Sequence, residues 1–309
     1  MKRHEVWRRE YRRNRYMEYL TKAELDKRAE DIFRNFLLLT PEGKIGLRPI
    51  SSGGKYWIIL WTHLLEELSL RGTSLPSADV FAPETFPNAT WPHAPRAAVA
   101  LKSANFRESP ALVKYGKKEY LRKMYHEGRI RVSSAGSYKD PSLNTAINDD
   151  ERVMNIGFHP HKVKISHRDV KTNTNTLIQP VGNVTYTFRL NTNFYVYCMS
   201  NVCDVRLFDD FEADACVVIY DSAVFLANLN KSFQSVVGNW RFQADAVRYI
   251  DPLNPPGEKE IDLFFGKHFK YSYQNEIRAV WIPEVDENDL EPVYLEIGEM
   301  REYADYVEI

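Results

Sequence analysis

Two polar residues near the C-terminal end of the chain stand just before a run of apolar ones. Gln274 and Glu276 are two positions apart, so an extended backbone directs both side chains to the same side. The apolar residues 279–282 predict a buried strand with Glu276 at its mouth. A carboxylate in such a place can stabilise a developing cation or accept a proton from a nucleophile. The same spacing also fits a surface Glu276 paired with Arg278 or Lys270, and both interpretations stay open here.

Two earlier segments carry further candidate residues. Residues 129–133 alternate polar and apolar side chains, which predicts a half-buried strand with Arg129 and Arg131 on one face. Residues 194–199 predict a later strand, and Ser200 follows it directly. As an alternative, the two arginines only coat the exposed face of an edge strand.

The order of these segments resembles the ADP-ribosyltransferase superfamily, which has an Arg-bearing strand, a later strand ending in Ser, and a final Gln-x-Glu. More closely, the chain resembles bacterial transferase-like families associated with phage defence and toxin–antitoxin systems. The resemblance covers roughly residue 114 to the C-terminus and not the first hundred residues. The matching pieces are Gly128-Arg129-Ile130, Tyr138-Lys139-Asp140-Pro141, Cys198-Met199-Ser200 and Glu276-Ile277-Arg278.

This resemblance implies a binding site for NAD, which serves as co-substrate. Arg129 or Arg131 would hold the NAD phosphates or ribose through a charge-assisted contact. Ser200 would shape the nicotinamide pocket. Tyr138 would stack on the nicotinamide ring, and Tyr115 is a second candidate for that contact. In the alternative interpretation these are two of eighteen tyrosines and lie in the core or at its rim.

The resemblance also implies the reaction and its setting. Glu276 would hydrogen-bond the nicotinamide ribose and stabilise an oxocarbenium-like transition state, and Gln274 would orient the acceptor. The expected activity is that of an NAD-dependent ADP-ribosyltransferase toxin that modifies a macromolecule, RNA or protein. Such a toxin implies an antitoxin or another neutralising partner.

The candidate residues must be positioned by the strands and helices around them. The sequence predicts many strands that follow one another with few helices between them, and this pattern indicates an α+β fold. The resemblance implies an ADP-ribosyltransferase-like split β-sheet core over residues 97–309. Residues 1–96 predict an N-terminal helical region, and the Pro- and Ser-rich stretch 74–95 marks the boundary. Residues 259–269 predict one further helix.

Two sequence signals delimit the helices of the N-terminal region. Thr21 and Glu24 form a capping-box pattern that predicts the start of a second helix. An apolar helix over residues 56–70 is expected to stop at Gly72.

Total charge and cysteine content exclude several classes of protein. The 309 residues carry a net charge of −1, so the charge alone does not favour nucleic acid or a membrane as partner. No run approaches the roughly 18 apolar residues of a membrane span. Cys198, Cys203 and Cys216 lack the spacing of a zinc site or a disulfide framework. We therefore expect a cytoplasmic protein.

The N-terminal helix combines five arginines with aromatic residues. One interpretation is a helix that faces nucleic acid, which favours RNA over protein as the acceptor. The other is an amphipathic helix with a solvated basic face. The arginines are Arg8, Arg9, Arg12, Arg13 and Arg15, and the aromatic residues are Trp7, Tyr11 and Tyr16.

Rival functions rest on two other clusters and on the cleft itself. His159, His161 and His167 lie close together and suggest a metal site. Residues 148–151 are Asn-Asp-Asp-Glu, which suggests a metal-dependent nuclease or only a turn before a helix. A third possibility is a non-catalytic module that senses a nucleotide or a phage product. It would bind this ligand in the same cleft that the transferase would use for NAD.

Overall fold

The computed structural model of the chain describes residues 3–40, 42, 44–76, 94–104, 106, 111–255 and 261–309. Its α-helices are α1 (Arg3–Arg13), α2 (Lys22–Phe36), α3 (Gly54–Arg71), α4 (Ala94–Ser103), α5 (Lys118–Glu127), α6 (Val205–Asp210) and α7 (Ser222–Val236). The fold is α+β, as the order of strands and helices predicts.

The strands follow the same chain order. They are β1 (Leu37–Leu39), β2 (Ile45–Leu47), β3 (Leu112–Gly116), β4 (Arg129–Ser134), β5 (Val153–Phe158), β6 (Ile165–Asp169), β7 (Thr174–Ile178), β8 (Val184–Arg189), β9 (Tyr195–Ser200), β10 (Ala215–Ile219), β11 (Arg241–Ala246), β12 (Arg248–Ile250), β13 (Gly266–His268), β14 (Glu276–Ile282), β15 (Val293–Glu296) and β16 (Ala304–Glu308).

The ends of the N-terminal helices follow their sequence signals. The Thr21 side chain accepts the backbone N–H of Glu24, whose carboxylate accepts the backbone N–H of Thr21, so the predicted capping box is confirmed. Such a cap contributes about 1 kcal/mol to helix stability. Helix α3 ends at Gly72, whose φ of 61° lies in the left-handed region that glycine adopts without strain.

Three arginines in α1 and just after it hold this helix to α3. Arg8 and Arg12 bond the carboxylate of Glu66, and Arg15 bonds that of Glu67. Both glutamate side chains are buried, so these ion pairs lie at the helix interface. Three of the five arginines therefore have a packing role that neither interpretation of the sequence predicts.

An eight-stranded sheet forms the centre of the C-terminal part. Its main strand order is β11-β14-β9-β3-β10-β16, and the neighbouring strands run antiparallel. Helices α5 and α7 cover one face, where Trp281 stacks on Phe233 of α7. Helices α4 and α6 cover the other face.

Strand β9 divides the sheet. One of its edges pairs along its whole length with β14, while the other edge has two partners. Val113 of β3 pairs with Ser200 at the end of β9, and Ser133 of β4 pairs with Val196 near its start. Because β3 and β4 meet the same edge at different points, the sheet opens between them.

The helix predicted over residues 259–269 is wrong for the residues described. Residues 259 and 260 lie outside them, residues 266–268 form β13, and a 3₁₀ turn covers Phe269–Gln274. Strand β13 pairs in parallel with β12. The imidazole of His268 accepts the N–H of Lys270, and the Asn35 side chain accepts that of Tyr273, so these donors have partners outside a helix.

The predicted boundary stretch 74–95 falls mostly on residues 77–93, which lie outside the described part of the chain. Helix α4 begins at Ala94, and the predicted division between residues 96 and 97 lies inside it.

Buried polar contacts join the N-terminal helices to the segments around Glu276. Arg28 forms two hydrogen bonds to the carboxylate of Asp251, with N–O distances of 2.9 and 2.6 Å. The Asn35 amide donates to the Lys270 carbonyl, next to the bond that it accepts from Tyr273. Helix α2 therefore supports the turn that leads into β14.

Candidate active site

Three strand ends meet where the sequence analysis expects the site. Glu276 is the first residue of β14 and pairs with Ser200, the last residue of β9. On the other side of Ser200 lies Val113 of β3. Residues 279–282 of β14 are buried, which confirms the predicted strand and the place of Glu276 at its mouth.

The backbone at Gln274 differs from the predicted conformation. It ends a 3₁₀ turn, and Asn275 follows with a φ of 45°, so the expectation of an extended chain from Gln274 to Glu276 is wrong. Asn tolerates this left-handed conformation better than most residues. The Gln274 side chain nevertheless approaches Glu276, because both contact the ammonium of Lys267.

A cavity of about 390 Å³ lies beside these strand ends. Six of the seven candidate residues line it: Tyr115, Arg131, Tyr138, Ser200, Gln274 and Glu276. Arg129 does not. It is exposed at the edge of β4, where it pairs with Glu127 and Glu296. Of the two arginines between which the sequence left the choice open, Arg131 therefore lies at the cavity and Arg129 lies outside it.

Glu276 belongs to a buried group of four charges, which we call the charge quartet: Glu151, Lys267, Glu276 and Arg278. Its members are at most 6% exposed. The Glu276 carboxylate accepts from Arg278 Nε at 2.6 Å and from Lys267 Nζ at 2.8 Å. Glu151 contacts the same two cations, with its Oε1 3.5 Å from Lys267 Nζ. Two carboxylates and two cations therefore balance one another away from water.

The quartet corrects the interpretation of Glu276 as a surface residue, and its proposed chemical role stays a prediction. Glu276 does pair with Arg278, but in the interior and not on the surface, and its second cation is Lys267 in place of Lys270. Glu151, which the sequence suggested as part of a nuclease cluster, is a partner of Arg278.

The charge state of Glu276 follows from these contacts. Burial opposes the charged form, but the ion pairs with Arg278 and Lys267 outweigh it and lower the pKa of Glu276 well below its ordinary value. A general base works best with a pKa near the working pH. Glu276 is therefore suited to act as a fixed negative charge rather than as a proton acceptor.

Ser200 and Gln274 are held mainly by bonds within the protein. The Ser200 hydroxyl donates to the Gln274 carbonyl at 2.8 Å and accepts from the N–H of Val202. The Gln274 amide donates to the Ala146 carbonyl, and its oxygen accepts from Lys267. These contacts shape and stiffen the cavity wall on which Glu276 lies.

The two candidate tyrosines differ in their hydrogen bonds and ring contacts. The Tyr115 hydroxyl donates to the Val202 carbonyl and accepts the N–H of Asp204, and its ring packs edge-on against Phe208. Tyr138 is half-buried and lines the cavity, and burial raises its pKa well above the ordinary value. Tyr138 is thus a neutral ring at the cavity wall.

Lys114 of β3 is a cavity residue that the sequence analysis did not single out. Its ammonium donates to the Cys198 carbonyl at 2.7 Å and lies 4.3 Å from the centre of the Tyr197 ring. Among the described residues it has no carboxylate within ion-pair distance, so further donors can face the cavity. A lysine between Val113 and Tyr115, inside a strand-like run, is the sequence signal that could have identified it.

A second cavity of about 170 Å³ lies on the other side of the quartet and shares Glu151 and Lys267 with the first. Asp149 and His268 also line it. Burial and the Glu151 carboxylate raise the pKa of Asp149 to about 6. Burial lowers the pKa of His268 to about 3.

The rings of His159 and His161, two of the three histidines suggested as metal ligands, lie 5.0 Å apart, but each of the three has other surroundings. His159 caps a short turn over Pro160–Lys162 and approaches Glu18, and His167 is exposed on β6. Within the described part of the chain, no group of three or more His, Cys, Asp or Glu side chains is arranged to hold a metal ion.

Comparison with protein-family models, with curated proteins and with solved structures finds no match for this chain. The described helices include none with both the length and the apolar composition of a membrane span.

The raised pKa of Asp149 predicts a pH dependence of stability. The folded state binds this proton more tightly than the unfolded state, whose Asp pKa is about 3.9. The stabilisation is full below that pKa and is lost as the pH rises through about 6. Relative to Asp149→Asn, the wild type should lose at most about 3 kcal/mol of unfolding free energy between about pH 4 and 6.

Urea unfolding at several pH values measures this difference. Asp150→Asn removes a carboxylate from the same turn and controls for the loss of one negative charge. Parallel pH profiles of the wild type and Asp149→Asn would contradict the assignment.

Proposed function

We propose that the chain is an NAD-dependent ADP-ribosyltransferase that transfers ADP-ribose from NAD to a macromolecule. The observation that carries the proposal is the ionised Glu276 carboxylate on the wall of a cavity of about 390 Å³. That volume lies in the range of small-molecule sites, roughly 300–1,000 Å³. The resemblance of the segments that hold Arg129 and Arg131, Ser200 and Glu276 to the transferase motifs points to the same reaction.

The cations of the cavity suit the diphosphate of NAD. Lys114 and Arg131 line the wall and can bind phosphate oxygens through charge-assisted bonds. Tyr138 offers a neutral ring on which the nicotinamide can stack. The opening of the sheet between β3 and β4 lies among these residues and supports the split-sheet core that the resemblance implies.

In the reaction, the bond between ribose C1′ and the nicotinamide nitrogen breaks, and its electron pair leaves with nicotinamide. Positive charge develops on the ribose, and the fixed charge of Glu276 stabilises it. A nucleophilic atom of the acceptor then bonds to C1′ and releases its proton to solvent. Ser200 and Gln274 hold the wall so that Glu276 stays in place.

The setting of the activity is part of the proposal. The protein would act as a toxin in the cytoplasm, in phage defence or a toxin–antitoxin system, and a neutralising partner would hold it in check. The acceptor is RNA or protein. The resemblance in the sequence supports the toxin assignment, and the preference for RNA rests on a surface described in the next subsection.

One observation favours a second candidate, a module that binds a nucleotide without chemistry. Both oxygens of Glu276 already accept bonds from Arg278 and Lys267, so its charge is partly neutralised before any ligand binds. In a sensor of this kind, Lys114 and Arg131 would still bind phosphate. Release of nicotinamide from NAD separates the two functions.

Replacing Glu276 by Gln should abolish the reaction. The variant keeps the size of the side chain but removes the charge that the transition state needs, so nicotinamide release should fall by about 10²-fold or more. Release of labelled nicotinamide and transfer of labelled ADP-ribose to total RNA and protein measure the effect.

Asp251→Asn provides a matched control, because it also leaves a buried cation without its carboxylate. Both variants should lose about 3–5 kcal/mol of stability. Asp251→Asn should keep its activity under conditions where circular dichroism shows both proteins folded. Full activity of a folded Glu276→Gln variant would remove Glu276 from the mechanism.

The two cavity cations should contribute to NAD binding. Lys114→Gln and Arg131→Gln each lose a charged contact worth about 1.5–3 kcal/mol, so KM for NAD should rise about 10- to 100-fold with a smaller change in kcat. Arg129→Gln removes the same charge two residues from Arg131 but outside the cavity. An equal rise in KM for all three variants would show that the effect is not local.

A further inference from the structure

An exposed arm rises from the sheet region and has no role in the proposed NAD site. It comprises residues 159–178, between β5 and β8, and we call it the basic arm. Its strands β6 and β7 form a two-stranded sheet of their own. Residues 171–179 are all exposed. Val170, at the tip, is 91% exposed. The arm thus presents its surface to solvent rather than to the core.

The charge of the arm differs from that of the whole chain. Four Lys or Arg residues and one Asp give residues 159–178 a charge of +3 with neutral histidines, against −1 for all 309 residues. The cations are Lys162, Lys164, Arg168 and Lys171. The single acid, Asp169, accepts the backbone N–H groups of Lys171 and Thr172 in the hairpin turn. The arm is therefore suited to bind an anionic partner.

A row of three rings lies at the base of the arm. Tyr19 and His159 have ring centres 5.2 Å apart, and His159 and His161 have ring centres 5.0 Å apart. His159 is fixed by a 3.1 Å contact with Glu18, while Tyr19 and His161 are exposed. Tyr19 lies in the corner between α1 and α2. This row, which we call the ring row, therefore connects the arm with the segment between α1 and α2.

Exposed rings beside cations have the chemistry that recognises single-stranded nucleic acid. Unpaired bases stack on aromatic side chains, including Tyr and His, while Lys and Arg bind the phosphates. A duplex offers its phosphates but hides the faces of its bases. An acidic peptide can pair with the cations, but it has no bases that would stack on the ring row.

Exposed polar residues in the hairpin turn and at the start of β7 favour RNA over single-stranded DNA. Residues 172–176 read Thr-Asn-Thr-Asn-Thr and are all exposed. The Thr172 and Thr174 hydroxyls bond each other, and the Asn173 oxygen accepts from Arg168. The Asn175 amide and the Thr176 hydroxyl can hydrogen-bond the ribose 2′-hydroxyl, the group by which a protein distinguishes RNA from DNA.

We propose that the ring row and the basic arm bind single-stranded RNA as the acceptor of the transferase. Binding itself follows from this surface, and only the acceptor role rests on the proposed function. Glu151 lines the NAD cavity, and the strand β5 begins two residues later and ends next to His159. Eight extended residues span at most about 26 Å, so a bound strand of several nucleotides reaches from the ring row toward the cavity.

Binding is measured on the full chain without NAD, by fluorescence anisotropy of a labelled 12-nucleotide single-stranded RNA. Tyr19→Ala and His161→Ala should each weaken binding about 10-fold through loss of a stacking surface. The triple variant Lys162→Gln, Lys164→Gln, Lys171→Gln should also weaken it. Because three phosphate contacts are lost, the slope of log affinity against log salt should become less steep by about 2.

A triple variant elsewhere, Lys102→Gln, Lys123→Gln, Lys231→Gln, makes the same charge change on α4, α5 and α7 and should bind RNA like the wild type. Equal weakening in both triple variants would overturn the proposal. Equal affinity for DNA of the same sequence, or for a polyglutamate peptide, would overturn the assignment to RNA.

RNA binding and nicotinamide release are separate measurements, so they distinguish failure of the RNA-binding proposal from failure of the transferase proposal. Nicotinamide release from NAD together with RNA binding that the arm variants do not alter would remove the arm proposal alone. RNA binding that the arm variants weaken supports the binding surface. If the wild type also releases no nicotinamide, the transferase proposal fails and the binding surface stands.

Discussion

The buried charge quartet is the interaction on which the candidate site depends. Glu151 and Glu276 supply two negative charges, and Lys267 and Arg278 supply two positive ones, with almost no exposure to water. A single unpaired charge at this depth costs several kcal/mol. Each member therefore needs its two oppositely charged partners, and the quartet holds together three separate segments of the chain. It also keeps Glu276 ionised, which the proposed chemistry requires.

The quartet is linked to the N-terminal helices through the turn that precedes β14. Asn35 bonds two backbone groups of that turn, and Arg28 pairs with Asp251 after β12. The turn ends at Gln274, which contacts Lys267 of the quartet. The helical region thus supports the wall of the cavity, although none of its described residues lines it. This arrangement explains why a region without resemblance to the transferases packs so closely on the candidate site.

Local signals in the sequence predict part of this structure. The alternation in residues 129–133, the capping box at Thr21 and the apolar run after Glu276 each depend on neighbours in the chain, and each corresponds to an observed element. The ion pair of Arg278 with Glu151 joins residues 127 positions apart, so no local pattern in the sequence predicts it. The same holds for Lys267, which the sequence assigned to a helix.

The choice between Arg129 and Arg131 shows a second limit of the sequence. Alternation gives both arginines the same face of β4, but only Arg131 lines the opening of the sheet, because β3 and β4 separate along β9. The location of the opening depends on strand order, which spacing alone does not specify. The basic arm was overlooked for a related reason: its histidines suggested a metal, and their contacts with Tyr19 and Glu18 arise only in the folded chain.

The central claim is that Glu276 faces the ribose of bound NAD. A crystal structure of the Glu276→Gln variant with NAD tests it most directly, because the substrate should bind without being consumed. The account predicts the nicotinamide ribose within hydrogen-bond distance of residue 276, with the diphosphate near Lys114 and Arg131. NAD bound outside this cavity, or with its phosphates at residue 276, would contradict it.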